Sequence, residues 1–175
     1  MAGHGLATLD TNALFDARKR ERGARAVEPR LFPATSPNAI GGECAIVFGM
    51  TGPSFAVGAG LGGAMEALAR GVELCAAADA ERVVVIAADD LGPASRDLLR
   101  DAGWADRPAA RGAVALLLEP ARGESERVVD LDVPADHDRG PVGHLALLQW
   151  LRAGQEGACP GGQGSGNVAP GNAGY

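Results

Sequence analysis

Residues 54–75 read SFAVGAGLGGAMEALARGVELC. The fold turns on how Gly58-Ala59-Gly60-Leu61-Gly62-Gly63 is read. The spacing is a formal G-x-G-x-x-G, which between a strand and a helix cradles a pyrophosphate. The same residues also suit a short strand, a sharp turn and a buried helix, the layout that presents a catalytic nucleophile. Yet the turn carries no Cys or Ser. From Leu61 onward apolar residues recur at Ala64, Met65, Leu68, Val72 and Cys75, one face of an α-helix. Gly62, Gly63 and Gly71 weaken its intrinsic propensity, so the helix is expected to be buried with a backbone passing close by.

Working outward, RVVVIAAD at 82–89 and GAVALLLEP at 112–120 are apolar runs expected as buried strands. RVVDLDVP at 127–134 alternates apolar and acidic residues, an edge-strand pattern. GPASRDLLRDAGW at 92–104 predicts a helix that starts near Pro93 and stops at Gly103. VGHLALLQWLRAG at 142–154 predicts an amphipathic helix. Toward the N-terminus, a strand is expected around Leu6 to Leu9, then a helix capped by Thr11 or Asn12 and running to Gly23. Pro29 and Pro33 predict an extended loop. Ser36-Pro37 predicts the start of a short apolar helix over Ala39, Ile40, Cys44, Ile46 and Val47, closed near Gly49, with Cys44 buried.

The chain has 175 residues, 46 % of them hydrophobic, enough for one domain with its own core. Aromatics are only 4 %, so the core must be built from closely packed small aliphatic side chains. The net charge of −6 repels phosphate backbones and argues against nucleic-acid binding. Arg18, Lys19, Arg20, Arg22 and Arg25 are interleaved with Glu21 and read as a solvated helix face. Cys44, Cys75 and Cys159 show no C-x-x-C spacing, which predicts no disulfide framework and a cytoplasmic setting. No apolar run approaches membrane-span length, so no membrane partner is expected. Residues 154–175 are Gly-rich and aperiodic, a composition that predicts a disordered tail.

The dinucleotide reading also needs an acid at the end of the next strand, and Asp89 stands there. But Pro53 leaves only four residues, SFAV, for a first strand that should be central. The competing reading uses more of the chain. Pro37-Asn38-Ala39, then Phe48-Gly49, then Gly52-Pro53-Ser54 and a short strand follow one another. After the turn, Ala78-Asp79-Ala80-Glu81 precedes Val83 to Ile86, and the apolar run of GAVALLLEP is closed by Glu119. In order and spacing these motifs resemble the segment around the active-site cysteine of the β-ketoacyl synthases. The match is best over residues 30–122, within a domain spanning 1–153. The resemblance implies an α/β, thiolase-like fold, the N-terminal half of a ketosynthase in truncated form. A buried helix would follow a nucleophile-elbow-like turn and pack on a mixed sheet.

Counting nine residues on from Gly52, the family's active-site Cys falls at Leu61. A Cys at a helix N-terminus is activated by the dipole and unpaired N–H groups, whereas Leu61 can be neither nucleophile nor acyl carrier. Gly60, Leu61, Gly62 and Gly63 would then form a small-residue elbow with room for a pocket. Cys44 and Cys75 read as structural cysteines and Ser54 has no evident base. His4 is expected near a frayed terminus. The family also uses two histidines from its second half. Gly143-His144-Leu145 faintly resembles the motif that supplies one, so His144 is a weak candidate on what is expected to be a surface or boundary position. Asp136, His137 and Asp138 suit a solvated turn better than a metal site.

No cofactor or metal is implied. The resemblance implies a non-catalytic protein of the chain-length-factor type, or an acyl- or acyl-carrier-binding module, in polyketide or fatty-acid synthesis. In the family the strand before the nucleophile pairs across a dimer two-fold. Here that strand is Ser54, Phe55, Ala56 and Val57, so a homodimer or a heterodimer with an intact ketosynthase is expected. The alternative is a dinucleotide-binding α/β protein using Gly58–Gly63.

Overall fold

Backbone pairing organises the protein around a four-stranded sheet. The computed structural model describes residues 1–26, 28–57, 60–120 and 141–155. The strands are β1 (Ala2–Gly3), β2 (Ala56–Val57), β3 (Val83–Asp89) and β4 (Gly112–Leu118). Their order is β2-β1-β3-β4; β1 runs parallel to both neighbours and β4 antiparallel to β3. The helices are α1 (Leu9–Arg22), α2 (Ala39–Phe48), α3 (Gly63–Ala76), α4 (Pro93–Asp101) and α5 (His144–Gln155). The molecule is therefore mixed α/β.

The sheet has two unequal faces. The register puts Val83, Val85 and Ala87 beside Leu118, Leu116 and Val114 on the inner face. α3 and α5 cover it, and Ala64, Met65, Ala67, Leu68, Val85 and Leu147 form the main core. Six positions of α3 are buried, four of them Ala or Gly. A Cβ on Gly71 would meet Val85 Cγ2 at 2.7 Å, so this glycine lets the helix lie against the strand. The outer face fares differently. Ala113, Ala115 and Leu117 of β4 are exposed, so this strand is not the buried one its composition predicts. Among the described residues α2 lies over the β1 end of that face, with Gly41 close to Ala2 and Ser54.

Three further expectations are corrected. The N-terminal strand is Ala2–Gly3, not Leu6–Leu9; only a glycine fits at position 3, where a Cβ would collide with Gly63 O. Leu6 is instead fully buried in a second cluster with Leu99 and Val142. The segment of Pro29 and Pro33 forms 3₁₀ turns, Pro29–Leu31 and Pro33–Thr35, rather than extended chain. Proline's fixed φ suits the first position of such a turn as well as it suits a loop. In α2, Cys44 is half-buried, because the helix touches the sheet along one narrow strip.

Several boundaries fall where the sequence puts them. Gly49 closes α2 in the left-handed conformation, and Gly103 follows α4 at φ 72°. Pro93 opens α4. The strand expected at 127–134 and the tail from 156 onward lie outside the described residues; α5 itself runs to Gln155.

Asp10, on the first turn of α1, caps α4. Its carboxylate accepts from Gly92 N at 3.0 Å, from Ala94 N at 2.8 Å and from the buried Ser95 hydroxyl. These donors are the unsatisfied groups of a helix N-terminus, so one side chain ties two distant elements together.

Candidate functional site

The turn before α3 is built by glycines. Gly60 has φ 90°, a conformation that favours glycine. Gly62 caps the helix through its carbonyl, which accepts from Met65 N at 3.0 Å and Glu66 N at 3.1 Å. At Gly63 a Cβ would meet His4 O at 2.7 Å. The backbone expected to pass close to this helix is thus β1 and its exit.

Leu61 is half-buried and packs into the cluster of Leu6, Leu99 and Val142. Its carbonyl accepts a hydrogen bond from Gly143 N at 3.1 Å. The apolar side chain is therefore taken up by packing within the turn's own surroundings. A cavity of about 500 Å³ lies on the sheet's other side, walled by Ala45, Met50, Phe55, Val84, Ile86 and Leu117, and none of the four turn residues lines it.

Gly143 brings His144 with it. His144 is 4 % exposed, so it is no surface residue. Its backbone N–H donates to Asp89 Oδ2 at 3.2 Å, and its Nδ1 lies 3.7 Å from the same oxygen. Nδ1 is buried without a hydrogen-bond partner. At 3.7 Å the ring nitrogen stands beside the carboxylate but outside hydrogen-bond distance. Asp89 also accepts from Gly5 N at 2.9 Å and Leu6 N at 2.7 Å. One carboxylate at the end of β3 thus gathers the β1–α1 connection and the start of α5 beside the turn.

His4 belongs to the same neighbourhood. It is 9 % exposed, not frayed, and its Nε2 donates to Pro37 O at 2.9 Å. A carbonyl only accepts, so Nε2 carries the proton.

Among the described residues neither cysteine is an evident substitute nucleophile. Burial pushes the Cys75 thiol above its ordinary value, the opposite of activation, and its Sγ lies 3.9 Å from Leu118 O. Cys44 stands on α2, at the sheet's outer face. Ser54 and Phe55 precede the strand rather than belong to it; β2 is Ala56–Val57 alone, and Ser54 O accepts from Asn38 Nδ2 at 3.2 Å. β2 lies at the edge of the sheet. Val57 points inward onto the main core.

The dinucleotide geometry is not met where it can be checked. Gly58 lies outside the described residues, but β2 is an edge strand instead of a central one. Asp89, the acid that should face a ribose, is buried and bonded to three backbone N–H groups. Among the described residues no three His, Cys, Asp or Glu side chains stand close enough to hold a metal ion. Asp136, His137 and Asp138 lie outside them. No helix among the described residues is long and apolar enough to cross a membrane.

The sequence missed the joint roles of His4 and Asp89. The pattern Gly3-His4-Gly5, with a large side chain held between two residues lacking one, is the signal that could have marked close packing there. Compared with known proteins, the chain matches no family model and no curated protein.

Proposed function

We propose that this chain is a ketosynthase-like protein of thiolase-like fold that performs no condensation itself. It serves as a chain-length-factor-type partner of an active ketosynthase, or as a module that holds an acyl carrier. One observation carries the reading: a glycine-built turn opens the buried helix α3, and an aliphatic residue, Leu61, stands where a nucleophile would be presented. Two placements add support. Gly143 bonds to the turn and brings His144 to it, in keeping with the likeness of Gly143-His144 to the family's histidine motif. β2 lies on a sheet edge, where an unpaired backbone is open to a partner strand.

The reading excludes acyl transfer through the chain and requires recognition. The test is gel filtration of the chain with an intact ketosynthase and with an acyl-loaded carrier protein. Co-elution with either is expected, with no condensation product from the chain alone. Independent elution from both would reject the reading. A charged residue at Val57 is a poor probe of the pairing, because this side chain is part of the core. Phe55→Asp is the better one, since Phe55 is 40 % exposed beside the edge strand.

A further inference from the structure

The cavity on the sheet's other side has no part in the functional reading. It follows β3. Arg82 stands just before that strand, and Val84 and Ile86 lie along it, a run of about 13 Å at strand rise. The register sets Ile86 beside Ala2, and Gly41 of α2 lies close to Ala2, so Gly41 marks the far end. Ala45, Met50, Phe55 and Leu117 complete the apolar walls. Phe55 and Leu117 are 40 % and 59 % exposed, so the walls are open to a ligand. At about 500 Å³ the space falls within the roughly 300–1,000 Å³ of small-molecule sites.

The polar groups of the lining select the ligand. Two of the charged ones are already answered: Arg82 Nε meets Glu119 Oε1 at 2.8 Å, and the Met1 amine donates to Val84 O at 2.7 Å. The third, Asp79, is exposed to water. A charge carried in between these walls would lose its water and gain no counter-charge. Ser54 is the uncharged polar side chain of the lining, and its hydroxyl has no hydrogen-bond partner among the described residues. Gly41 keeps the space beside it clear, since a Cβ there would stand 2.9 Å from Ser54 Oγ. Phe55 and Met50 favour an aromatic ring, through edge-to-face and sulfur–ring contact. We propose that this cavity binds a small uncharged phenol, its ring against Met50 and Phe55 and its hydroxyl on Ser54 Oγ.

The site is independent of the functional reading, because none of Gly60, Leu61, Gly62 and Gly63 lines the cavity. The test is equilibrium dialysis of the full chain at pH 7 against four probes with one ring system: naphthol, methylnaphthalene, naphthoate and naphthylmethylammonium. Saturable binding of naphthol at one site is expected, about tenfold or more tighter than either ion. Ser54→Ala should weaken naphthol about two- to tenfold, the worth of one hydrogen bond, and leave methylnaphthalene unchanged. Ala45→Phe, which fills the cavity, should abolish binding of every probe while the circular dichroism stays that of the wild type. Ser54→Ala carries the test if Ala45→Phe does not fold. Absence of saturable naphthol binding overturns the proposal. So does a charged probe that binds as tightly as naphthol, or a Ser54→Ala variant that binds naphthol undiminished.

Discussion

Leu61 sits between two sources of order, its side chain in an apolar cluster and its carbonyl on Gly143. That a turn carrying Leu61 opens a buried helix was legible from the glycines and the apolar period that follows them. The company it keeps was not. Asp89 meets Gly5, Leu6 and His144 across most of the chain, and no local pattern encodes such a meeting. Gly143 is the tightest point of that junction. It has φ 56°, and a Cβ there would collide with the Asp89 carboxylate. Gly143→Ala should cost about 1–3 kcal/mol in urea unfolding, with the loss centred on α5 in hydrogen exchange.

Asp10 gives a second residue-scale prediction. Burial pushes its carboxyl up, but the Ser95 hydroxyl and the N–H groups of Ala94, Ser95 and Gly92 outweigh this and hold it below the ordinary 3.8. A depressed carboxyl stabilises the fold above its unfolded-state value, and that contribution is lost as pH falls through the folded-state value. Asp10→Ala should therefore cost about 1–2 kcal/mol at pH 7. The gap between variant and wild type should narrow below about pH 4, as unfolding free energies at pH 7 and pH 3 would show.

At the scale of elements, α3, β3 and α4 were legible because each carries a strong signal: one apolar helical face, a β-branched run, and a Pro start with a Gly stop. β1 was not, because Ala2 and Gly3 have no strand propensity and pair only because small residues can approach Gly63 and Ala67. β4 was half legible. Its strand character held, but Ala113, Ala115 and Leu117 are apolar and exposed, so composition alone gives the wrong burial. Packing of α3 on the sheet depends on Gly71, whose Cβ would also meet Leu118 Cδ1 at 2.8 Å. Gly71→Val should lift the helix from β3 and β4 and lower the melting temperature, at a cost of about 1–3 kcal/mol. An unchanged melting temperature would mean that α3 does not press on the sheet as described.

At the scale of the whole molecule, the sheet formed by the described residues has β2 at one edge and exposed apolar side chains on the outer face of β4. Both favour association, and neither supplies chemistry. In the proposed reading the turn ahead of α3 is a catalytic elbow in which Leu61 replaces the reacting residue. Restoring that residue is the most direct test. The chain and its Leu61→Cys variant are incubated with an acyl-carrier thioester and weighed intact by mass spectrometry. In the variant, the new thiolate attacks the thioester carbonyl, the carbonyl–sulfur bond to the carrier breaks, and the carrier leaves as its protonated thiol. The expected result is one added acyl group on Leu61→Cys and none on the wild-type chain, although both contain Cys44 and Cys75. A folded Leu61→Cys variant that gains no acyl group, or a wild-type chain that gains one, would contradict the reading of the turn as a ketosynthase elbow without its nucleophile.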